Sequence, residues 1–420
     1  MSPASPSAEI QARFEGGVGL FRDGQSEAAL KAFLKCRVEG VHEPAVHYWM
    51  ALVYKSLGKA AKAQREIDAL LKSDPRHVGG LAARDSLDAV TRQTTGAAKR
   101  VAFHMNRQFH YPILKPVFDL LSGDHSCLIA FESREIAEFS PDVIVICDSQ
   151  AERLRQRVPD AQIVNVCHGV AHGNSFVSRG SVDADFICVT SEAMASNLMR
   201  ATGLARDRLW VTGYPEVDPL FNRRPQALPF HMQAGNRTVL YAPSYIPGLS
   251  SVPMLKSRMG TLIRGRRDDI SVICRPHPNI VERLNDWMAW FETAAAAPWF
   301  HITLDMTTSM APLLMAADVI VSDVSNVALQ FLALDRPIVF IDNPEKESAG
   351  EFYNPKSPIW VWRDAGEVVS HASEVAAAVS RSLRNPDQHA EARARYRAEL
   401  FGDLTDGKAA ERIVERIMAV

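Results

Sequence analysis

Two successive series of short apolar runs, each alternating with helical segments, restrict this chain to the α/β class. Most runs are continuous and rich in Val, Ile and Cys, which is typical of strands in a parallel sheet that is covered on both faces. The first series predicts strands at residues 100–104, 126–131, 142–147, 162–167, 185–190 and 209–212. The second series follows a linker at residues 221–237 and predicts strands at residues 238–242, 271–275, 301–304, 319–322 and 338–341.

The two series predict two Rossmann-like domains, at residues 96–225 and 226–420. Ligands of such folds bind at the turns that follow the carboxyl ends of parallel strands. Two facing halves therefore predict an active cleft between them, which is the arrangement of the GT-B fold.

The first 95 residues differ, because two stretches there align at a period of 34 residues. This period is typical of the tetratricopeptide repeat, in which small residues let two antiparallel helices pack closely. The matching positions are Gly17, Leu20, Gly24, Ala29, Phe33 and Cys36 in the first stretch and Ala51, Tyr54, Gly58, Ala63, Ile67, Leu70 and Pro75 in the second. With a capping helix near residues 79–92, they predict an all-α module at residues 1–95. Binding of a protein partner and a purely structural role are both open for this module.

The composition excludes several other classes. A length of 420 residues predicts two or three domains, and a formal net charge of −2 argues against a chain built to coat nucleic acid. The first ten residues do not resemble a secretion signal, and no run of about 18 apolar residues occurs, so we expect a cytoplasmic protein without a membrane span. The six cysteines form no CxxC pair, so we expect buried thiols and neither a disulfide nor a metal site.

The most distinctive polar cluster lies at the carboxyl end of the predicted strand at residues 271–275. It reads Arg275-Pro276-His277-Pro278, so two prolines present the histidine from a stiff turn. Arg275 adds a permanent positive charge that suits phosphate oxygens. A loop histidine that merely packs between prolines is the structural alternative.

A second histidine, His168, ends the predicted strand at residues 162–167 and is followed by Gly169, which lets a substrate approach the backbone closely. His172 lies four residues further on, but glycines between the two histidines argue against a helix that aims both rings at one metal ion.

The third cluster is the turn that follows the predicted strand at residues 319–322. Its polar residues are Ser322, Asp323, Ser325 and Asn326. They precede a predicted helix, whose free N–H groups favour an anion, although the same side chains are also ordinary N-caps. Ser244 follows another predicted strand and is expected at the same edge.

A basic stretch at residues 255–269 completes the candidates. Its cations are Lys256, Arg258, Arg264, Arg266 and Arg267. A solvated helix face and contact with an acceptor phosphate or a membrane surface are both open for it.

Together these motifs resemble those of the CDP-glycerol glycerophosphotransferases, the family that builds wall teichoic acid and related capsule polymers. The resemblance covers residues 100–420 and rests on the order of His168-Gly169, TGYPEVD (212–218), YAPS (241–244), RPHP (275–278), ADVIVSDVSN (317–326), LDRPIVF (334–340) and DGKAAERI (406–413). It implies a GT-B fold, an acceptor on the side of residues 96–225 and a CDP-linked polyol phosphate donor on the side of residues 226–420.

By position, the resemblance implies that His168 is the general base for the acceptor hydroxyl and that His277 contacts the donor phosphates. It further implies that Ser322, Ser325 and Asn326 hold phosphate oxygens. Three departures concern the polyol and the acceptor. Val324-Ser325-Asn326 stands where the family commonly has Tyr-Ser-Ser, and Gln330 stands near a position that is commonly acidic. After His168-Gly169 the chain reads VAHGN, where the family has a proline-containing turn followed by lysine.

These residues predict a phosphoryl transfer that needs no metal and no cofactor, because histidines, an arginine and a helix N-terminus supply positioning and charge. In the expected reaction, a hydroxyl of a glycan or lipid-linked acceptor attacks the β-phosphorus of the donor, and CMP is released. The protein is expected to make at most peripheral contact with the inner membrane face. A GT-B sugar transferase or UDP-sugar 2-epimerase, which carboxylates in the cleft would favour, and a non-catalytic nucleotide-binding scaffold are the alternatives.

Overall fold

The structure is a computed structural model that describes residues 6–38, 43–91, 99–170, 179–224, 226–283 and 285–420. Residue contacts divide the chain into two compact units, Met1–Val164 with Ile417–Val420 and Asn165–Arg416. This division does not follow the predicted domain boundaries near residues 96 and 226, which stay predictions.

Five helices begin the first unit: α1 (Pro6–Arg22), α2 (Ser26–Val38), α3 (Glu43–Ser56), α4 (Ala60–Ser73) and α5 (Val78–Thr91). Helix α1 packs on α2, and α3 packs on α4. The small residue Gly17 is required there, because a Cβ atom at this position would lie 2.8 Å from the ring of Phe33. The predicted all-helical module is thus confirmed, whereas its assignment to the tetratricopeptide family stays a prediction.

The remaining elements alternate strands and helices. In the first unit they are β1 (Arg100–His104), α6 (Tyr111–Leu121), β2 (Ser126–Ala130), α7 (Ser133–Phe139), β3 (Val143–Ile146), α8 (Ala151–Arg155) and β4 (Gln162–Asn165), which ends at the unit boundary. The second unit begins with β5 (Phe186–Val189), α9 (Glu192–Thr202), β6 (Leu209–Val211) and α10 (Asp218–Asn222).

The second unit continues with β7 (Arg237–Ala242), α11 (Val252–Leu255), α12 (Met259–Arg264), β8 (Ile270–Cys274), α13 (Pro278–Arg283), α14 (Asn285–Ala295), β9 (Phe300–Ile302), α15 (Ala311–Ala316) and β10 (Val319–Ser322). It ends with α16 (Asn326–Gln330), β11 (Ile338–Ile341), α17 (Pro358–Val361), β12 (Glu367–Val369), α18 (Val375–Arg384), α19 (Ala390–Phe401) and α20 (Ala409–Met418).

The strands form two six-stranded sheets, in the orders β2-β1-β3-β4-β5-β6 and β12-β11-β10-β7-β8-β9. The strand pairs that the structure describes are parallel. Every residue of β8, β10 and β11 is buried, as expected for strands that are covered on both faces. The predicted α/β class is confirmed, and the sequence prediction missed only β12 among the strands that the structure describes.

Polar side chains attach the helical module to the α/β part of its own unit. The buried hydroxyl of Ser86 on α5 donates to the carbonyl oxygen of Ile129 at 2.7 Å and accepts from the N–H of Ile129 at 2.9 Å. Ile129 lies on β2, the edge strand of its sheet, so Ser86 satisfies backbone groups at that edge. Lys55 of α3 also forms an ion pair with Glu135 of α7 at 2.8 Å. The module is therefore an integral layer of the first unit.

Two motifs of the sequence meet in the second unit, where the side chain of Asp218 binds the start of α20. Its carboxylate accepts hydrogen bonds from the N–H groups of Ala409 at 2.9 Å and Ala410 at 3.0 Å. Gly407 precedes this helix at a φ of 66°, and a Cβ atom there would lie 2.5 Å from the side chain of Asn222. TGYPEVD and DGKAAERI are thus joined by backbone capping. Among the described residues, no helix combines the length and the apolar character that crossing a bilayer requires.

Candidate functional site

The second unit contains both candidate catalytic histidines, His168 and His277, and the polar turns that follow β7, β8 and β10. Parallel strands bring their carboxyl ends to one edge of a sheet, so these three turns lie along the same edge.

Arg275 follows β8 and is buried, with 9% of its surface exposed. Its N–H donates to the carbonyl oxygen of Tyr241 at 2.9 Å, which extends the pairing of β7 and β8 by one residue. Its guanidinium donates to the carbonyl oxygen of Thr303 at 3.4 Å. Burial lowers the pKa of Arg275, while the negative charges of Asp305 and Glu216 raise it. A buried cation is thus held at the carboxyl end of β8.

One ring nitrogen and one face of His277 are held by neighbouring residues. Its Nδ1 atom accepts a hydrogen bond from the N–H of Asn279 at 3.1 Å, and its ring packs on Tyr245 with 4.4 Å between centroids. Burial, followed by charge on His168 and Arg275, lowers the pKa of His277 to about 3. The ring is therefore neutral at pH 7, with its proton on Nε2.

His168 follows β4 and is partly exposed. The preceding residue, Cys167, has a φ of 61°, in the left-handed region that residues with a side chain rarely adopt. The buried side chain of Asn165 holds this turn: it accepts from the N–H of Cys167 at 2.9 Å and donates to the carbonyl oxygen of Ser181 at 2.9 Å. Gly169 is buried beside His168. A strained turn with a fixed hydrogen-bond frame therefore orients His168.

Charge connects the two histidines, since a positive charge on His168 lowers the pKa of His277. They therefore lie within electrostatic reach of one another, although they are far apart in the sequence. Their catalytic roles stay predictions. His172 lies outside the residues that the structure describes.

Asp323 connects the turn after β10 to the loop after β7. Its fully buried carboxylate accepts hydrogen bonds from the N–H of Ser244 at 2.8 Å, from the N–H of Ser251 at 2.7 Å and from the hydroxyl of Ser251 at 2.8 Å. The hydroxyl of Ser322 is also engaged, since it donates to the carbonyl oxygen of Ala242 at 2.6 Å. Direct phosphate contact by Ser322 or Asp323 is a prediction that these bonds do not support, because both side chains are engaged within the protein.

Ser244 and Ser325 also lie at this edge and differ in their bonding. The hydroxyl of Ser244 is buried and has no hydrogen-bond partner among the described residues. Ser325 accepts from the N–H of Val327 at 3.3 Å and so caps α16, which begins at Asn326 and is only five residues long. The prediction of a helix start in this turn is confirmed, and phosphate binding by Ser325 and Asn326 stays a prediction.

Sequence reasoning missed a buried carboxylate in this unit, that of Glu216. It accepts hydrogen bonds from the hydroxyl of Tyr214 at 3.2 Å, the amide of Gln330 at 3.3 Å and the N–H of Met310 at 3.3 Å. Burial raises the pKa of Glu216, and its charge acts on Arg275. A signal for it in the sequence was the acid directly after the TGYP turn at residues 212–215.

The basic stretch at residues 255–269 is partly occupied by neighbours. Arg264 lies over the ring of Trp299 at 4.6 Å, and Arg267 donates to Asp269 at 2.8 Å. Lys256, Arg258 and Arg266 are exposed. A role in contact with an acceptor or a membrane surface stays a prediction for these three.

A sequence model of the CDP-glycerol:poly(glycerophosphate) glycerophosphotransferase family matches residues 161–419, a span that contains His168, Ser244, His277 and the turn after β10. The chain belongs to this family. The helical module and β1 to β3 lie outside the matched span.

Within this family setting, the teichoic acid glycerol-phosphate primase of Bacillus subtilis (strain 168) is 25% identical over 158 residues. That alignment spans 37% of this chain and 39% of the primase, so the similarity covers well under half of the relative.

Solved structures give the fold. The wall teichoic acid polymerase TagF has a TM-score of 0.60 at 15% identity, and the match covers 89% of this chain and 96% of that one. A protein assigned as a UDP-N-acetylglucosamine 2-epimerase from Listeria monocytogenes has a TM-score of 0.53 at 15% identity, over 77% of this chain and 96% of that one. The predicted GT-B fold class is thereby confirmed.

Proposed function

We propose that the protein transfers glycerol phosphate from CDP-glycerol to a hydroxyl of a glycan or lipid-linked acceptor and releases CMP. The observation that carries this proposal is a neutral His277 that lies next to the buried Arg275 and within electrostatic reach of His168. These are the groups that a metal-free phosphoryl transfer requires, in a family that is named for this reaction.

On the acceptor side, His168 takes the proton of the attacking hydroxyl. The hydroxyl oxygen forms a bond to the phosphorus that carries glycerol, the bond from that phosphorus to the CMP oxygen breaks, and CMP leaves with the electron pair. The proton passes from His168 to water. Gly169, directly after the base, leaves space for the acceptor.

On the donor side, the Nε2–H group of His277 donates to a phosphate oxygen. Because Nδ1 already accepts from Asn279, the ring cannot turn that nitrogen toward the phosphate without losing a bond. Arg275 neutralises charge that develops on the leaving phosphate, and the hydroxyl of Ser244 supplies another donor. Ser325 and Asn326 complete the phosphate site through the start of α16.

Asp323 and Glu216 support this site without touching the reacting atoms. Asp323 fixes the backbone of Ser244 by a 2.8 Å hydrogen bond. Glu216 is bonded to Tyr214, Gln330 and Met310, so its carboxylate is already engaged within the protein. For this reason we do not assign it the acid or base role that a sugar transferase or epimerase would require.

The partners of the reaction follow from its chemistry. We place the protein in the cytoplasm, where nucleotide-linked donors are made, with peripheral contact to the inner membrane face when the acceptor is lipid-linked. The exposed cations Lys256, Arg258 and Arg266 suit an anionic acceptor or membrane surface. The helical module is available to a protein partner, and we propose no metal and no cofactor for the reaction.

Product analysis tests the donor assignment. The protein is incubated with an acceptor fraction and, separately, with CDP-glycerol, CDP-ribitol and UDP-sugars, and the nucleotides are identified by mass spectrometry. We expect CMP release from CDP-glycerol that depends on acceptor. Release of UDP from a UDP-sugar, with no CMP from either CDP-polyol, would refute the proposed function.

A further inference from the structure

Arg363 is a second buried arginine at the carboxyl edge of the second sheet, and neither the sequence analysis nor the proposed reaction uses it. It lies in the turn after α17, and 9% of its surface is exposed. Its guanidinium lies over the ring of Phe340 at 4.4 Å on one side and over the ring of Trp360 at 4.5 Å. Two aromatic rings therefore pack against this guanidinium.

The guanidinium N–H groups of Arg363 make an ion pair but no hydrogen bond of good geometry. None of the three guanidinium nitrogens of Arg363 has a hydrogen-bond partner within the part of the chain that the structure describes. One of them lies 3.2 Å from Oδ1 of Asp342 as an ion pair, and the other carboxylate oxygen of Asp342 accepts from Lys346 at 3.1 Å. Burial lowers the pKa of Arg363 to about 10, so the group is still a cation at pH 7. Buried donors without acceptors are costly and are satisfied when an anion binds.

The contacts of Arg363 relate it to the turn that follows β10. Phe340, which its guanidinium covers, pairs in register with Ser322 on the neighbouring strand β10. The charge of Asp323, the next residue, acts on Arg363. Arg363 therefore lies beside the turn that leads to Ser325 and Asn326.

A second link connects this region to the loop that contains Ser244. The side chain of Asn343, directly after β11 and Asp342, donates to the carbonyl oxygen of Ser250 at 2.9 Å. Ser250 in turn donates to the carbonyl oxygen of Ser244 at 2.7 Å. The loop of Ser244 is thus hydrogen-bonded to the residue after Asp342, the ion-pair partner of Arg363.

We propose that Arg363 binds a phosphate group of the nucleotide donor, through paired N–H donation to two phosphate oxygens. The proposal rests on the proposed function, since it adds a second cation to the site in which Arg275 and His277 act. Lys346, whose ammonium lies 5.1 Å from the ring of Trp360, adds further positive charge. Asp342 is opposed by both Arg363 and Lys346.

The test measures phosphate binding directly by isothermal titration calorimetry, with CDP, inorganic pyrophosphate and cytidine as probes. We expect Arg363→Met to weaken CDP and pyrophosphate binding by about tenfold or more. Arg363→Lys keeps the charge but loses the paired N–H donors, so its affinity should lie between those of the wild type and Arg363→Met. Cytidine, which has no phosphate, should bind each variant with the affinity of the wild type. Equal pyrophosphate affinity for the wild type and Arg363→Met would overturn the proposal.

A second variant keeps the proposal testable if Arg363→Met does not fold. Thermal unfolding of each protein shows whether it is folded. Asp342→Asn removes the acid that competes for Arg363, so pyrophosphate should bind more tightly to this variant than to the wild type. A purely structural ion pair predicts no gain in binding and only a loss of stability. If Arg363→Met does not fold, weaker pyrophosphate binding by Arg363→Lys supports the proposal, and unchanged binding by both Arg363→Lys and Asp342→Asn overturns it.

The two proposals fail separately. CMP release by the wild type with unchanged pyrophosphate binding by Arg363→Met leaves the proposed function intact and removes only the role of Arg363. Pyrophosphate binding that depends on Arg363, in a protein that does not use CDP-glycerol, keeps the phosphate site and refutes the donor.

Discussion

The Nδ1 atom of His277 accepts a hydrogen bond from the backbone N–H of Asn279 at 3.1 Å. This bond fixes the tautomer, because a neutral imidazole with an accepting Nδ1 carries its proton on Nε2. The depressed pKa of His277, about 3, keeps the ring in that neutral form at pH 7. We therefore propose that His277 acts as a hydrogen-bond donor, since its neutral ring carries no positive charge at pH 7.

Replacement of His277 tests this donor role. We expect His277→Ala to lower kcat for CMP release by about 10²-fold or more, because a donor to the phosphate is lost. His277→Gln should retain part of the activity, since its amide also donates an N–H. His231→Ala, a change at an exposed histidine of the linker before β7, is the matched control and should leave kcat unchanged. Equal losses for the Ala and Gln variants would argue against the donor role.

The pKa of His277 also predicts how stability depends on pH. It is about 3 in the folded protein, whereas an unfolded histidine titrates near 6.5. Between these values the unfolded chain binds a proton that the folded chain does not, so the free energy of unfolding falls as pH falls below about 6.5. We expect His277→Gln to reduce that slope by about 1.4 kcal/mol per pH unit. Denaturant titrations at about pH 5, 6 and 7 measure it, and parallel curves for the two proteins would contradict this account.

Asn165 should act on catalysis through the orientation of His168. Asn165→Ala removes the acceptor for the N–H of Cys167 and the donor to Ser181, so the strained turn loses its frame. We expect kcat to fall by about tenfold while KM for CDP-glycerol stays near its wild-type value, because the donor site is untouched. Asn165→Asp keeps the acceptor for Cys167 and is the matched control, with a smaller loss. A rise in KM for the donor with unchanged kcat would rule out a positioning role.

Asp218 should contribute to stability and not to chemistry. Asp218→Ala leaves the N–H groups of Ala409 and Ala410 without their acceptor, so we expect a loss of about 1–2 kcal/mol in the free energy of unfolding. Asp218→Asn keeps one acceptor oxygen and should lose less. Denaturant unfolding of the three proteins gives the order, and equal stability of wild type and Asp218→Ala would disprove the capping role.

The sequence predicted the strands because parallel strands that are buried on both faces are continuous apolar runs. Val319–Ser322 and Ile338–Ile341 were predicted with the bounds that the structure has. Strand β12, Glu367–Val369, was missed because it begins with an acidic residue and exposes Val368. Two valines after an acid do not form a continuous apolar run.

The candidate site was predicted only in part, because residue type does not show which bonds a polar group makes. Ser322 and Asp323 were expected to contact phosphate, yet their side chains are bonded to Ala242, Ser244 and Ser251. Arg363 was not expected at all, since no predicted strand precedes it. Its position depends on long-range packing on Phe340, which the local sequence does not encode.

The central claim is a transfer reaction in which His168 is the base, and CMP release by His168→Ala tests it most directly. With CDP-glycerol and acceptor at saturating concentration, we expect kcat to fall by about 10²- to 10⁴-fold relative to the wild type, while CDP binding stays within about twofold. His231→Ala should match the wild type in both measurements. Full turnover by a folded His168→Ala protein would contradict the account.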